Sequence, residues 1–134
     1  MIGHGDTGVA SMLSDDEKEM SVVISDPSRP DMPIIFVSDE FEHQTGYGPS
    51  DTIGHNCRFL QGPDTDPAAV DAIRGAVADE RKITVDILNY MKDGTPFWNR
   101  LRIRPLRDDA GKLLYFVGAQ NPIEEDEVQP VPQA

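Results

Sequence analysis

The chain has 134 residues, 38% of them hydrophobic and 27% charged, a size and mixture suited to one globular domain with a single core. Its 12 Lys and Arg against 24 Asp and Glu give a formal charge of -12, which excludes a basic surface that holds nucleic acid or an anionic membrane non-specifically. The one cysteine, Cys57, excludes an intramolecular disulfide framework and a cysteine-rich metal site, and fits a reducing compartment.

The acid is unevenly placed. Residues 1–19 hold five acids against one lysine and Glu124–Glu127 are four acids in a row, so residues 20–123 carry only -4 of the net charge. No apolar run reaches 18 residues, and no basic segment followed by an apolar one opens the chain. A soluble, cytoplasmic protein without membrane or nucleic-acid partners is the expectation.

In chain order, the first 13 residues, with Gly3, Gly5 and Gly8, read as a loose tail. Ser14-Asp15-Asp16-Glu17 has the form of a capping box opening a short acidic helix. Two β-branched runs, 21–25 and 34–38, flank the turn-forming stretch Asp26-Pro27-Ser28-Arg29-Pro30-Asp31 and predict a hairpin. Short helical pieces follow, over 40–45 and from Pro49. Asp66-Pro67 then caps a longer helix whose apolar face is Val70, Ile73 and Val77, ending near Glu80. Three alternating segments, 82–91, 95–104 and 113–120, complete the order. The pattern predicts an α+β domain: a five-stranded antiparallel sheet with short helices and one longer helix packed on one face. The division expected is 1–19 as tail and cap helix, 20–123 as the domain, and 124–134 as an acidic, Pro-containing tail that is disordered unless a partner holds it.

Alternation puts a carboxamide on the apolar face of each of the last three strands: Asn89 with Ile83, Val85 and Ile87, Asn99 with Phe97, Leu101 and Ile103, and Gln120 with Leu114, Phe116 and Gly118. The faces of Asn89 and Asn99 coincide only if the connecting loop has an odd length, as in a three-residue Lys92-Asp93-Gly94 loop with Gly94 left-handed. A buried amide without partners costs about 1–3 kcal/mol. Three on one face therefore imply either a network that satisfies itself or a flat ligand with donors and acceptors along one edge.

The stretch Gly54-His55-Asn56-Cys57-Arg58-Phe59-Leu60-Gln61 is the most specific in the chain. Taken generically, Cys57 is either a lowered-pKa thiol beside an arginine or a core residue, and core packing is the commoner role. His55 beside Cys57 does not make a protease pair, the three histidines have no metal-ligand spacing, and no phosphate-binding glycine loop occurs.

Over about residues 21–121 the sequence resembles the LOV (light-oxygen-voltage) domains, the flavin-binding blue-light sensors of the PAS superfamily. The likeness rests on the Cys57 motif continuing into Gly62-Pro63, on Asn89 in Ile-Leu-Asn-Tyr, on Asn99 in Phe-Trp-Asn and on Gln120 in Phe-Val-Gly-Ala-Gln. It implies a PAS fold and FMN as cofactor. Asn89, Asn99 and Gln120 would meet the flavin edge, Arg58 and Arg74 the phosphate, and Asn56 and Gln61 the ribityl chain and ring. Val23, Ile34, Leu60, Leu101, Ile103, Phe116 and Gly118, all core residues by pattern alone, would line the ring. Ser25 and Met32 stand where many plant relatives carry other polar residues. The residue pattern alone leaves Arg74 as a solvated or surface-paired charge.

The resemblance also implies a mechanism: under blue light the Cys57 sulfur bonds flavin C4a while N5 is protonated, Gln120 answers by exchanging its amide nitrogen for its oxygen, and the bond reverts in the dark. No kinase, DNA-binding or cyclase-sized segment is visible. The expectation is therefore a short, bacterial-type, non-enzymatic photoreceptor that signals through its flanks to a separate protein or a dimer contact. The alternatives are a flavin-dependent redox protein and a PAS ligand-binding or interaction module without photochemistry.

Overall fold

A computed structural model of the chain describes residues 3–132. Seven antiparallel strands form one sheet: β1 (Gly3–Gly5), β2 (Ser21–Ser25), β3 (Ile34–Ser38), β4 (Ile83–Tyr90), β5 (Pro96–Arg107), β6 (Leu113–Gln120) and β7 (Pro122–Ile123). Their order is β1-β3-β2-β6-β5-β4, with β7 beside β5. The five longer strands are those the sequence predicts, two from β-branched runs and three from alternation. β1 and β7 are additions, too short to carry a period.

One face of the sheet carries the helices α1 (Asp39–Thr45), α2 (Pro49–Thr52) and α3 (Pro67–Ala78), with a 3-10 turn over Cys57–Leu60. Helix α3 starts where the sequence says: the Asp66 carboxylate accepts from the Ala68 N–H at 2.9 Å and Pro67 takes the first helical position. Val70, Ile73 and Val77 then pack towards Ile83, Val85, Ile87, Leu101, Ile103 and Phe116.

Five residues link β4 to β5, and the Met91–Thr95 hydrogen bond closes the tip on three of them, Lys92, Asp93 and Gly94. Met91 N donates to Thr95 O at 2.8 Å and Gly94 has φ 90°, a left-handed position that Gly occupies without steric cost. Ile87 consequently faces Asn99 and Asn89 faces Phe97 across the ladder. Strand β5 runs beyond the expected end at Arg104, through Pro105 to Arg107, with a register shift at Leu106/Arg107. The shift brings Leu113 onto the helix-side core, where alternation had placed Leu114.

Both flanks depart from the expectation. Residues 3–13 are not a loose tail: β1 pairs with β3, and Val9 and Leu13 are buried against Val22, Ile24, Phe36, Val117 and Ala119 on the face opposite the helices. The glycines there serve close packing, since a Cβ on Gly3 would lie 2.4 Å from the Phe36 ring and Gly5 has φ 94°. The capping box forms, with Ser14 N donating to Glu17 Oε1 at 2.8 Å and Glu17 N to Ser14 Oγ at 3.2 Å. The helix it opens is a single 3-10 turn, Glu17–Glu19. The C-terminal segment is likewise ordered through residue 132, with a 3-10 turn at Glu125–Glu127 and Val131 against the helix-side core. Residues 1, 2, 133 and 134 of the two expected tails lie outside the described residues. Among the described residues no helix is long and apolar enough to cross a membrane.

The N-terminal cap is fastened by Arg104, whose Nε and Nη2 donate to the two oxygens of Glu17 at 2.7 and 2.6 Å. These bonds hold the Glu17 carboxyl below its ordinary pKa against an opposing desolvation. A folded-state pKa below the unfolded one stabilises the fold above the ordinary carboxylate range, and the gain disappears as pH falls through the folded value. For this partly buried pair, Glu17→Gln is expected to cost about 1 kcal/mol in urea denaturation at neutral pH. The difference from the parent should shrink as pH falls below the ordinary carboxylate range and through the lowered folded value.

Candidate functional site

The three carboxamides converge. Asn99 Nδ2 donates to Asn89 Oδ1 at 3.0 Å and to Gln120 Oε1 at 2.6 Å, and Asn99 Oδ1 accepts the main-chain N–H of Asn121 at 2.9 Å. Asn89, Asn99 and Gln120 are 3%, 0% and 4% exposed. The odd loop puts the first two on one face, and the β5–β6 pairing brings the third beside them. Among the described residues no buried side-chain nitrogen or oxygen lacks a partner. The cluster thus satisfies itself through Asn99, while Asn89 and Gln120 also face a cavity of about 260 Å³.

The 3-10 turn Cys57–Leu60 forms another wall. Asn56 caps it, accepting from Arg58 N at 3.0 Å, and its amide donates to Asp31 O at 2.8 Å. Leu60 is buried beside Val23, Ile34, Val37 and Phe41, and Cys57 and Phe59 pack on the same cluster. The Cys57 side chain lines the cavity. Desolvation pushes its thiol pKa up, only partly opposed by a main-chain hydrogen bond and the Arg58 charge, so the resting group is the neutral thiol.

Of the residues named from sequence, Val23, Asn56, Cys57, Arg58, Leu60, Gln61, Arg74, Asn89, Leu101, Ile103, Phe116, Gly118 and Gln120 line the cavity. Asn99 and Ile34 do not: Asn99 stands behind the other two amides, and Ile34 is fully buried in the core beside Leu60. Both arginines engage carboxylates, Arg58 through Nη1 to Asp31 at 2.8 Å and Arg74 through Nη1 to Asp71 one turn before it on α3 at 3.0 Å. The surface pair that the pattern allowed for Arg74 is therefore present.

Comparison with known proteins decides the family. A sequence model of the PAS domain matches residues 19–125. A LOV domain solved in work on a flavin analogue superposes with a TM-score of 0.82 and 44% identity, covering 91% of this chain and 89% of that one. This chain is a LOV domain of the PAS family. Phototropin-2 of Oryza sativa subsp. japonica is 53% identical to the LOV domain over 102 residues, covering 76% of this chain and 11% of that protein. A blue-light-activated histidine kinase of Rhizobium johnstonii is 46% identical over 129 residues, covering 87% and 37%. The chain thus spans well under half the length of these curated relatives.

LOV relatives imply a flavin chromophore, and the cavity suits one. Its lining is mostly apolar, with Ile87, Leu101, Ile103 and Phe116 on the sheet side and Val70, Ile73 and Val77 of α3 facing them. Amides stand along one edge. Gly118 leaves the sheet bare: a Cβ there would project into the space among Val23 Cγ2, Gln120 Nε2 and Leu101 Cδ1, at 3.4, 3.6 and 3.8 Å. Arg58 and Arg74 supply forked cations for an anionic tail. Sequence reading missed the lining role of Val70, Ile73, Val77 and Ile87, whose helical or alternating spacing marks only an apolar face.

Proposed function

We propose that this LOV domain is a blue-light photoreceptor that binds FMN and signals without catalytic turnover, acting through its flanks on a separate protein or a second copy. The observation that carries the reading is the cavity itself, where a neutral thiol, an amide edge and two arginines meet. When bound, the flavin supplies a blue-absorbing ring whose C4a takes the Cys57 sulfur and whose N5 takes a proton. Asn89 and Gln120, with Asn99 behind them, orient the ring by its polar edge, and Asn56 and Gln61 contact the ring and ribityl chain. Val23, Leu60, Leu101, Ile103, Phe116 and Gly118 enclose the ring and exclude water, with Ile34 supporting Leu60 from behind. Cys57 keeps its proton until it reacts, and its placement against the ring substitutes for thiolate activation. Residues 20–123 form the sensor, with 1–19 and 124–134 as its flanks.

Arg58 and Arg74 meet the phosphate, which must draw Arg58 away from Asp31. Arg58→Ala is expected to weaken FMN binding roughly tenfold or more, the loss of a charge-assisted fork, while riboflavin, which lacks the phosphate, binds as before. Titrations of both flavins into apoprotein check this.

The test of function is an absorption spectrum before, during and after blue illumination. A structured flavin band that bleaches and returns in the dark supports the proposal. Colourless protein that takes up no flavin would make it a plain PAS module, and NADPH-driven flavin reduction in darkness would make it a redox protein.

A further inference from the structure

Each of the two arginines that line the cavity carries a carboxylate of its own. Arg58 grips Asp31 with both arms of its fork, Nη1 to Oδ1 at 2.8 Å and Nη2 to Oδ2, whereas Arg74 reaches Asp71 through a single bond. The two cations and two anions cancel, so a phosphate meets no net positive charge there, in a chain whose formal charge is already -12. The Arg58 guanidinium also holds the Asp31 carboxyl below its ordinary range, so the competing anion is fully present at neutral pH.

The two pairs are not equivalent. Asp71 and Arg74 are exposed neighbours on one helix, and either side chain can swing into water. Asp31 cannot withdraw, because the chain around it is fastened: its carbonyl accepts from Asn56 Nδ2 at 2.8 Å, Met32 N donates to Arg29 O at 3.1 Å, and Asp26 N donates to Pro33 O at 3.0 Å. Asp31 and Met32 are both left-handed, φ 64° and 47°, and with this backbone Asp31 meets the Cys57 turn while Met32 lines the cavity. Asn56 and Arg58 line the cavity and also an open cleft of about 320 Å³ whose wall includes Asp31. The Arg58–Asp31 pair therefore stands on the boundary between the two spaces. Stability does not account for it, since both side chains are 59% exposed and pairs so exposed add little to folding. Nor does the backbone, since Asn adopts the left-handed region as readily as Asp.

We propose that Asp31 sets the preference of this cavity for phosphorylated over unphosphorylated flavin, as a fixed counter-ion that FMN has to displace from Arg58 and riboflavin does not. The proposal rests on the flavin reading. A phosphate that takes Arg58 gains one charge-assisted fork, breaks another, and leaves the Asp31 carboxylate close to its own charge. Riboflavin ends in a hydroxyl and leaves the pair intact. The ring contacts are common to both flavins, so Asp31 acts on the difference between them and not on flavin binding as a whole.

Titrations of FMN and of riboflavin into apoprotein, for the parent and its variants, test the proposal. Asp31→Asn keeps the size of the side chain, the left-handed backbone and the carbonyl that Asn56 holds. It should tighten FMN about tenfold and leave riboflavin unchanged, so that the ratio of the two dissociation constants widens about tenfold. Asp71→Asn should move that ratio by less than about twofold. In the Arg58→Ala background, where no fork remains to be released, the gain from Asp31→Asn should fall below about threefold. An unchanged ratio in Asp31→Asn, a change shared equally by both flavins, or a gain that persists above about threefold without Arg58 overturns this proposal alone. Failure of the parent to take up either flavin overturns the flavin reading and this proposal with it.

Discussion

Cys57→Ala is expected to remain yellow and to lose its light response. The side chain contributes one wall of the cavity, whereas the amide edge, the apolar enclosure and the two arginines come from other residues, so flavin binding survives the substitution. What disappears is the sulfur. The thiol is held neutral by burial and gains its reactivity from position, which no neighbour can replace among the described residues, since Cys57 is the only cysteine of the chain. Bleaching amplitude under a blue pulse should fall by more than about tenfold, because no other group is placed to take the sulfur's part. The measurement is made in air without reductant, so that flavin photoreduction does not imitate the response. Persistent, reversible bleaching in the variant would remove Cys57 from the chemistry.

Phe41→Ala is expected to produce the largest loss of stability, with a consequence at the site. Phe41 is fully buried, and its ring meets that of Phe59 edge to face, centroids 6.4 Å apart at 88°. Phe59 in turn lies against Tyr47 at 4.8 Å. The cluster they share with Val23, Ile34 and Leu60 is the support behind the turn that carries Cys57. Truncating such a ring costs about 3–5 kcal/mol, out of the roughly 5–15 kcal/mol by which domains of this kind are stable. The thermal midpoint should fall by roughly 10–20 °C. The cavity left beside Leu60 also loosens the turn, so the fraction of molecules bleached per pulse should drop in protein that is still folded. Phe41→Leu, which refills most of the volume, should recover much of both. Calorimetry and flash bleaching on the same samples check the pair.

The interior of this fold was legible because its periods are strict. Alternation placed Asn89, Asn99 and Gln120 on one sheet face, and the odd loop ending in Gly94 followed from requiring the first two to coincide. The flanks were not legible, for a physical reason. Gly3 and Gly5 suggest flexibility by composition, yet they are glycines because β1 lies too close to Phe36 and Ile35 for a Cβ. The C-terminal segment is held by Glu127 O and Gln129 N, main-chain groups whose partners no side-chain pattern reveals. In the same way, Arg58 and Arg74 were recognisable as a matched pair of cations, while Asp31, which holds Arg58 in this structure, comes from a left-handed loop position, φ 64°, with no local signal of its own.

The acidic charge takes a different meaning once located. Glu17 is part of a bond to β5 that pins the N-terminal cap, and Glu127 lends a carbonyl, with its carboxylate closing its own turn at Glu124 N, 2.8 Å away. The acidic runs therefore include structural contacts as well as solvated charge.

The most direct test is the infrared S–H stretch of Cys57 in flavin-loaded protein, recorded as a difference between darkness and blue light. The structure predicts a neutral thiol whose S–H band is present in the dark, disappears on illumination in step with the bleaching, and returns as the colour recovers. A band that persists through full bleaching, or that is absent in the dark, would contradict the assignment of Cys57 as the protonated partner of the flavin.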